Sequence, residues 1–366
     1  MRALLVHPGS SVSTSDVYEG YLPALKALGV ETWLYNMDQR IADSGAWFHY
    51  LHRRRRKTNP DFPKRALPGV VLAHAAGDLL GKVIWNDIDW TIVVSGMYLH
   101  PDVLIMLKKA GRKVAVLLTE SPYDDDKQGR FIAHADLAWT SERTSVAYLR
   151  QWNEHVYYLP HAYNTEKVAT GRNPDLPTHD VLFIGTAFKE RIEMLEQVDW
   201  TGIDLGLYGT WELLGSRNKL RKYVRGEYVD NAVAQQMYQN AAINLNLYRT
   251  SKGFGRHAER VTDAESLNPR ALELAAGGCF HLSDYRPEVA EVFGDAVPTF
   301  TTPKELEEAV RFYLAHPSER QRMAATLSRS VEGHTFQEGA KHLLRDLHAF
   351  DAIGQRSPGN LVTHMT

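Results

Sequence analysis

Two uninterrupted apolar runs, Asp89–Ser95 (Asp-Trp-Thr-Ile-Val-Val-Ser) and Lys113–Thr119 (Lys-Val-Ala-Val-Leu-Leu-Thr), constrain the fold of this chain more than any other feature. A strand without polar alternation is covered on both faces, as in a parallel sheet layered between helices. The helical stretch Asp102–Lys109 lies between the two runs. Upstream, Ala3–Val6 leads into a loop opening at His7-Pro8-Gly9. An amphipathic stretch follows from Asp16 to Leu28, Gly29 stops it, and Glu31–Tyr35 reads as the next strand. Strand, glycine-containing loop, helix, strand is the signature of a βαβ unit. Asp136–Thr140 and Val156–Leu159 read as further strands flanking a helical Ser145–Gln151, so residues 1–160 form one α/β domain.

The stretch from Pro160 to Pro177 is rich in Pro, Asn, Gly and Thr and reads as a linker, residues 161–178. The pattern then restarts. Asp180–Ile184 is a strand, Gly185-Thr186 a tight loop, Lys189–Val198 a helix, and Asp204–Tyr208 a strand ended by Gly209. A helix Ala232–Asn240 and strand Ala242–Leu247 follow, then strand Cys279–Ser283 and helix Pro287–Phe293. Thr302-Pro303-Lys304-Glu305 is a capping box, which opens a helix to about Ala315. The second domain thus spans 179–335, with a C-terminal helix over 336–352 and a disordered tail expected over 353–366. Two α/β halves in tandem place a cleft between them, and clefts between domains are preferred ligand sites.

At 366 residues, 44% hydrophobic and 23% charged, the chain has the make-up of a water-soluble globular protein with two cores. A net charge of −2 leaves only local charge informative about partners. The single cysteine, Cys279, excludes an intramolecular disulfide and fits a reducing compartment. Met1–Val6 is too short for a secretory signal, and no apolar run is long enough to cross a bilayer, so a cytoplasmic location is expected.

Between the last two apolar strands lies Glu265-Ser-Leu-Asn-Pro-Arg-Ala-Leu-Glu-Leu-Ala-Ala-Gly-Gly, ending at Gly278. Asn268 reads as an N-cap and Pro269 as the first helical residue, where its missing N–H costs nothing. Gly277 and Gly278 close the helix after roughly two turns. The positive amino end of such a helix attracts anions. With Arg270 in the first turn and the carboxylates Glu265 and Glu273 around it, the stretch suits a sugar nucleotide, the helix end holding the diphosphate and the carboxylates accepting from ribose or sugar hydroxyls. Taken alone, a capped helix with surface charges would account for the same residues.

The second half resembles the GT-B glycosyltransferases, in particular the group-1-type family that includes spore-maturation-like (CgeB-like) proteins. The matching pieces are Phe183-Ile-Gly-Thr with Arg191, Ile243-Asn-Leu-Asn-Leu, Asn268-Pro-Arg-x-x-Glu273-x-x-Ala-x-Gly-Gly, Asp284-Tyr-Arg-Pro-Glu288 and Thr335-Phe. The first half adds Thr119-Glu-Ser-Pro-Tyr, Ala135-Asp136, Thr140-Ser-Glu-Arg143 and Leu159-Pro-His-Ala-Tyr-Asn164. The resemblance runs from about 90 to 350 and fades over 36–90, where acceptor specificity in such enzymes usually lies. It implies two Rossmann-like domains facing a cleft, with transfer of a sugar from a nucleoside-diphosphate sugar, such as a UDP-sugar, to an acceptor hydroxyl. It further implies that Glu273 holds the ribose and that Asn268–Arg270 face the diphosphate. Gly185 and Thr186 would admit the phosphates, Arg191 would neutralise them, and Asn246 belongs to the same site. Glu265 matches the first carboxylate of the paired-glutamate motif of retaining members, which points to retention and to a departing diphosphate stabilised without a metal.

Other constellations weigh less. Asp124-Asp125-Asp126 contains a D-x-D spacing suited to Mg²⁺ or Mn²⁺, but a solvated acidic loop explains it and a paired α/β architecture does not need that metal. Arg53, Arg54, Arg55, Arg56 and Lys57 form the strongest charge run, near Trp47, Phe48 and Tyr50. Such runs are usually solvated. Basic residues beside aromatics also suit a polyanion, so a hydroxymethylated base in DNA is a candidate acceptor, alongside an anionic glycan, a protein or a lipid headgroup. His7, Glu120 and His161 each follow a predicted strand, and one would be the general base if the reaction inverts. The histidines show no zinc spacing. Competing readings are a sugar-nucleotide epimerase, which needs no acceptor, and a non-catalytic nucleic-acid-binding protein using residues 52–57. A nicotinamide enzyme is disfavoured because no G-x-G-x-x-G follows a strand.

Overall fold

The computed structural model describes residues 1–9, 14–226, 229–253 and 258–356. The first domain runs β1 (Arg2–His7), α1 (Ser15–Ala27), β2 (Glu31–Asn36), α2 (Met37–Arg55), α3 (Pro68–Ala75), α4 (Leu79–Trp85), β3 (Trp90–Val94), α5 (Pro101–Lys109), β4 (Lys113–Leu117), α6 (Asp125–Ile132), β5 (Leu137–Thr140), α7 (Ser145–Leu149) and β6 (Val156–Tyr158). Its sheet is parallel throughout, in the order β2-β1-β3-β4-β5-β6. The apolar runs that define the fold become β3 and β4, whose residues are buried from Trp90 to Val94 and from Val114 to Leu117. Side chains alternate across such a strand. Leu4 and Val6 accordingly enter the core beneath α2 to α5, while Ala3 and Leu5 enter a second core on the other face.

That second core is closed by the end of the chain. The second domain runs β7 (His179–Ile184), α8 (Lys189–Glu196), β8 (Leu205–Tyr208), β9 (Val224–Gly226), α9 (Asn231–Asn240), β10 (Ala241–Asn246), α10 (Pro269–Ala276), β11 (His281–Asp284), α11 (Pro287–Phe293), β12 (Thr299–Phe300), α12 (Pro303–Ala315), α13 (Pro317–Ser330) and α14 (Phe336–Arg356). Its sheet is also parallel, in the order β12-β11-β10-β7-β8-β9. Helix α14 leaves this domain and lies on the first one. Phe336, Ala340, Leu343 and Leu347 recur on one helical face and are buried with Tyr21, Trp90 and Trp139. Gly20 and Gly339 allow the approach, since a Cβ at Gly20 would meet the Phe336 ring and one at Gly339 would lie 2.7 Å from the Tyr21 hydroxyl. Trp139 Nε1 donates to Asp346 at 2.9 Å, fastening the helix to β5.

The structure departs from the sequence reading in several places, and α6, β9 and β12 are elements the sequence reading did not assign. The helix expected over 336–352 continues to Arg356, so residues 353–356 are helical, and residues 357–366 lie outside those described. The strand expected from Cys279 begins at His281, because Gly278 takes φ 62° and the chain must recover from that left-handed turn. Residues 37–85, left without elements, fold as α2, α3 and α4.

In both sheets the order of strands reverses beside the first strand, between β1 and β3 and between β7 and β10. Loops there diverge and open a crevice at the carboxyl ends of the strands. The two crevices face each other.

Candidate active site

A cleft of about 900 Å³ lies between the domains. The second domain lines it with Gly185 and Thr186 after β7, Gly209 after β8, Arg191 on α8, and Asn268, Arg270 and Glu273 on α10. The first domain contributes Asp16 and Glu19 on α1, Thr119 after β4, Thr140 at the end of β5 and His161 after β6.

Local chemistry explains how α10 is aimed. The Asn268 side chain accepts from the Ala271 N–H at 2.9 Å and Pro269 occupies the first helical position, the cap the sequence anticipates. Asn268 Nδ2 donates in turn to Asn246 Oδ1 at 2.9 Å, and Asn246 Nδ2 donates to Ser283 Oγ at 3.1 Å. Asn246, expected to contact the nucleotide, is instead fully buried at the end of β10 and outside the cleft lining. It holds the cap from behind.

Two guanidinium groups converge in front of this helix end. Arg191 is 7% exposed and donates from Nη1 to the Thr186 carbonyl at 2.7 Å. It stacks near Phe183 and Phe188, and Arg270 stands 5.1 Å from the Phe183 ring centre. Arg270 Nε and Nη1 and Arg191 Nε are buried without a hydrogen-bond partner. Burial, then the Arg270 cation, push Arg191 well below the usual arginine range. Guanidinium groups stay charged at neutral pH, so the pair stores repulsion that an anion would relieve. Gly185 leaves room beside them: a Cβ there would lie 2.6 Å from Arg270 Nη2 and would push that guanidinium aside.

One turn further along α10, Glu273 is partly buried at the cleft wall. Burial, then the Asp16 carboxylate, raise its carboxyl to about 7, against the pull of Arg270 and Lys167. Lys167 is held by Asp16 and Glu19, each at 2.7 Å, and Asn231 of α9 donates to Asp16, so these groups bridge the domains at the cleft mouth.

Of the catalytic candidates, the cleft lining contains His161 alone. Burial pushes its imidazole down to about 4, so it is neutral near pH 7. His7 is 2% exposed and stacks on Tyr18 at 3.7 Å, where burial lowers its pKa. The Glu120 carboxylate pairs with Arg249 at 3.3 Å. Glu265 pairs with Arg143 at 2.5 Å, and Arg143 also binds Glu291. Neither His7, Glu120 nor Glu265 lines the cleft. Glu265 is turned aside because the loop before α10 is drawn onto the first domain. There the buried Glu142 accepts from the backbone N–H groups of Glu265 and Ser266, both at 3.2 Å, and Arg286 stands 3.6 Å away. The expectation of retention therefore loses the residue it leaned on.

Glu142, Arg286, Asp16 and Lys167 are the residues that sequence reasoning missed. Glu142 and Arg286 lie inside motifs matched by the resemblance, but no spacing discloses a partner 122 or more positions away. Asp125 and Asp126 sit in the first turn of α6, where Asp126 accepts from Tyr148. Among the described residues no cluster of three or more acids, histidines or cysteines could hold a metal ion, and no helix is long and apolar enough to cross a membrane. Arg53, Arg54 and Arg55 end α2 with Arg56 as its C-cap, outside the cleft.

Residues 190–345 match the model of a family described as Glycosyl transferase-like. The spore protein CgeB of Bacillus subtilis is 26% identical over 257 residues, covering 68% of this chain and 80% of that protein. Anabaena HepE, solved in complex with UDP-glucose, superposes with a TM-score of 0.61 at 11% identity, over 95% of this chain and all of that one. UDP-GlcNAc 2-epimerase from Neisseria meningitidis, bound to UDP-GlcNAc, gives 0.55 at 10% identity, over 95% of this chain and all of that one.

Proposed function

We propose that this chain, a member of the GT-B group-1 glycosyltransferase family that has CgeB-like members, moves a sugar from a UDP-sugar to an acceptor hydroxyl. The observation that carries the reading is the pair of guanidinium groups of Arg191 and Arg270, each with buried nitrogens that lack a hydrogen-bond partner, at the capped amino end of α10. Three of their nitrogens, Arg270 Nε and Nη1 and Arg191 Nε, lack an acceptor, and a diphosphate supplies oxygens of the right charge.

The donor's diphosphate lies between the α10 amino end and the Gly185–Thr186 loop, and its ribose hydroxyls donate to Glu273. As the bond from the anomeric carbon to the diphosphate oxygen breaks, negative charge grows on that oxygen. Arg270 and Arg191 stabilise it without reorganising, which is the main route to catalysis in such a site. The acceptor oxygen bonds to the anomeric carbon and releases its proton. In this reading His161, neutral in the cleft wall, receives it, and the bound diphosphate would draw its pKa back up from about 4. No metal is needed for these steps.

The test is binding and turnover together. UDP should raise the melting temperature more than GDP, ADP or dTDP, by mass action. Arg270→Gln should weaken UDP binding by about 1.5–3 kcal/mol, roughly ten- to a hundredfold in Kd, the worth of a charge-assisted hydrogen bond. A UDP affinity untouched by Arg270→Gln sinks the proposal. The likeness to an epimerase favours one second reading. An epimerase works on its UDP-sugar without an acceptor, so UDP release that requires a second substrate decides for transfer.

A further inference from the structure

Beside the cleft, at the same carboxyl edge of the first sheet, lies a second cavity of about 580 Å³. Helix α2 forms one wall with Asp38, Ile41, Gly45, Phe48 and His49, and α3 forms the other with Pro68, Val71 and Leu72. Arg65 and Ala66 close one side, and Tyr98 closes another from the loop after β3, held at φ 70°. The loop after β1 packs on Asp38, since a Cβ at Gly9 would run into that side chain. The cavity therefore opens where β1, β2 and β3 end, adjoining the strand ends that serve the cleft.

The lining is chiefly aliphatic and aromatic, with polar groups limited to Asp38, His49, Arg65 and the Tyr98 hydroxyl. A sugar or an extruded base would bring a ring of donors and acceptors that such walls leave unmatched, at about 1–3 kcal/mol for each. An apolar body leaves nothing unmatched. Arg65 brings a cation to the lining, and the segment of chain around it is basic. From residue 45 to 75 there are seven lysines and arginines against one acid, Asp61. Exposed apolar side chains stand among them, Leu67 at 73%, Tyr50 at 52% and Trp47 at 50%.

We infer that this cavity is the acceptor site, and that the acceptor is an amphipathic hydroxylated molecule with an apolar body and an anionic group. The apolar body fills the space between α2 and α3, the anion meets Arg65, and the hydroxyl points past Asp38 towards the cleft. The acceptor role rests on the transferase reading; the ligand chemistry of the cavity does not.

Anilinonaphthalene sulfonate, an anionic aromatic, is the probe. Wild-type protein should bind it saturably with a blue-shifted emission. Gly45 has open space where a side chain would grow, so Gly45→Trp fills the cavity and should lower probe affinity at least tenfold with an unchanged melting midpoint. Arg65→Glu should lower it severalfold, and neither variant should alter UDP binding. With UDP-glucose present, a hydroxynaphthalene sulfonate should stimulate UDP release in wild type and not in Gly45→Trp. Probe binding that survives Gly45→Trp overturns the inference. So does displacement of the probe by an oligonucleotide carrying hydroxymethylated bases, with loss of that displacement in Arg54→Glu, which would assign the basic segment and cavity to nucleic acid. If UDP fails to bind wild type while the probe behaves as expected, the transferase reading falls and the ligand chemistry of the cavity stands.

Discussion

Glu273 is the residue whose environment makes the sharpest prediction. Its carboxyl rises from an ordinary 4.5 to about 7 because burial and Asp16 disfavour the charge. A group raised in this way contributes folding stability that is complete below about 4.5 and is lost as pH climbs through 7. With the proposed ribose contact, binding runs the other way, since ribose hydroxyls donate better to a carboxylate than to a carboxylic acid. UDP-glucose affinity measured from pH 5.5 to 8.5, chosen at roughly equal margins around that value, should rise through neutrality. Glu273→Gln should abolish the rise and flatten the loss of stability over the same range. UDP-glucose suits the measurement because its diphosphate does not titrate there. A step that persists in the glutamine variant would assign the titration to another group.

At the scale of elements, α10 and its supports separate what local sequence encodes from what it does not. Asn268-Pro269 and Thr302-Pro303 announced helix starts because a cap is a contract between residues two or three apart, and both caps form as read. The long apolar strands were legible for the same reason: burial on both faces leaves its mark on every residue from Trp90 to Val94 and from Val114 to Leu117. The direction of Glu265 was not legible. It depends on Glu142 and Arg143, which reach that loop only after the domains dock. The part Asn246 plays behind the cap was not legible either, since its position in β10 is local and its bond to Asn268 is not. Helices α2 to α4 went unread because their buried faces are thin, with Met37 and Ser44 alone fully buried along α2. The prediction at this scale concerns the cap. Asn268→Ala should cost about 1–2 kcal/mol in chemical denaturation and weaken UDP binding, while Asn268→Ser, which keeps a capping oxygen, should recover most of the stability. Equal losses in both variants would show that the bond to Asn246, rather than the cap, holds the helix end.

At the scale of the molecule, the chain crosses between domains twice, and the two crossings touch. Tyr163 N–H donates to the His334 carbonyl at 3.0 Å, and Phe336 N–H donates to the Tyr163 carbonyl at 3.3 Å. Past that point α14 supplies the first domain with part of its core, so the first domain needs the last helix to be complete. The interface adds buried charge: Glu142 at 2% exposure accepts from the second domain's backbone, and parting the domains would strip those bonds from a carboxylate and from Arg286 together. Each domain thus holds a piece of the other's stability, and calorimetry should find one cooperative transition. Leu343→Ala, in α14, removes a fully buried side chain and should destabilise by about 2–5 kcal/mol. The same transition should be the one UDP raises, although the proposed UDP contacts lie mainly in the other domain. Two transitions, one lowered by Leu343→Ala and another raised by UDP, would show that the domains unfold independently and that the shared helix and the Glu142 contacts couple them only weakly.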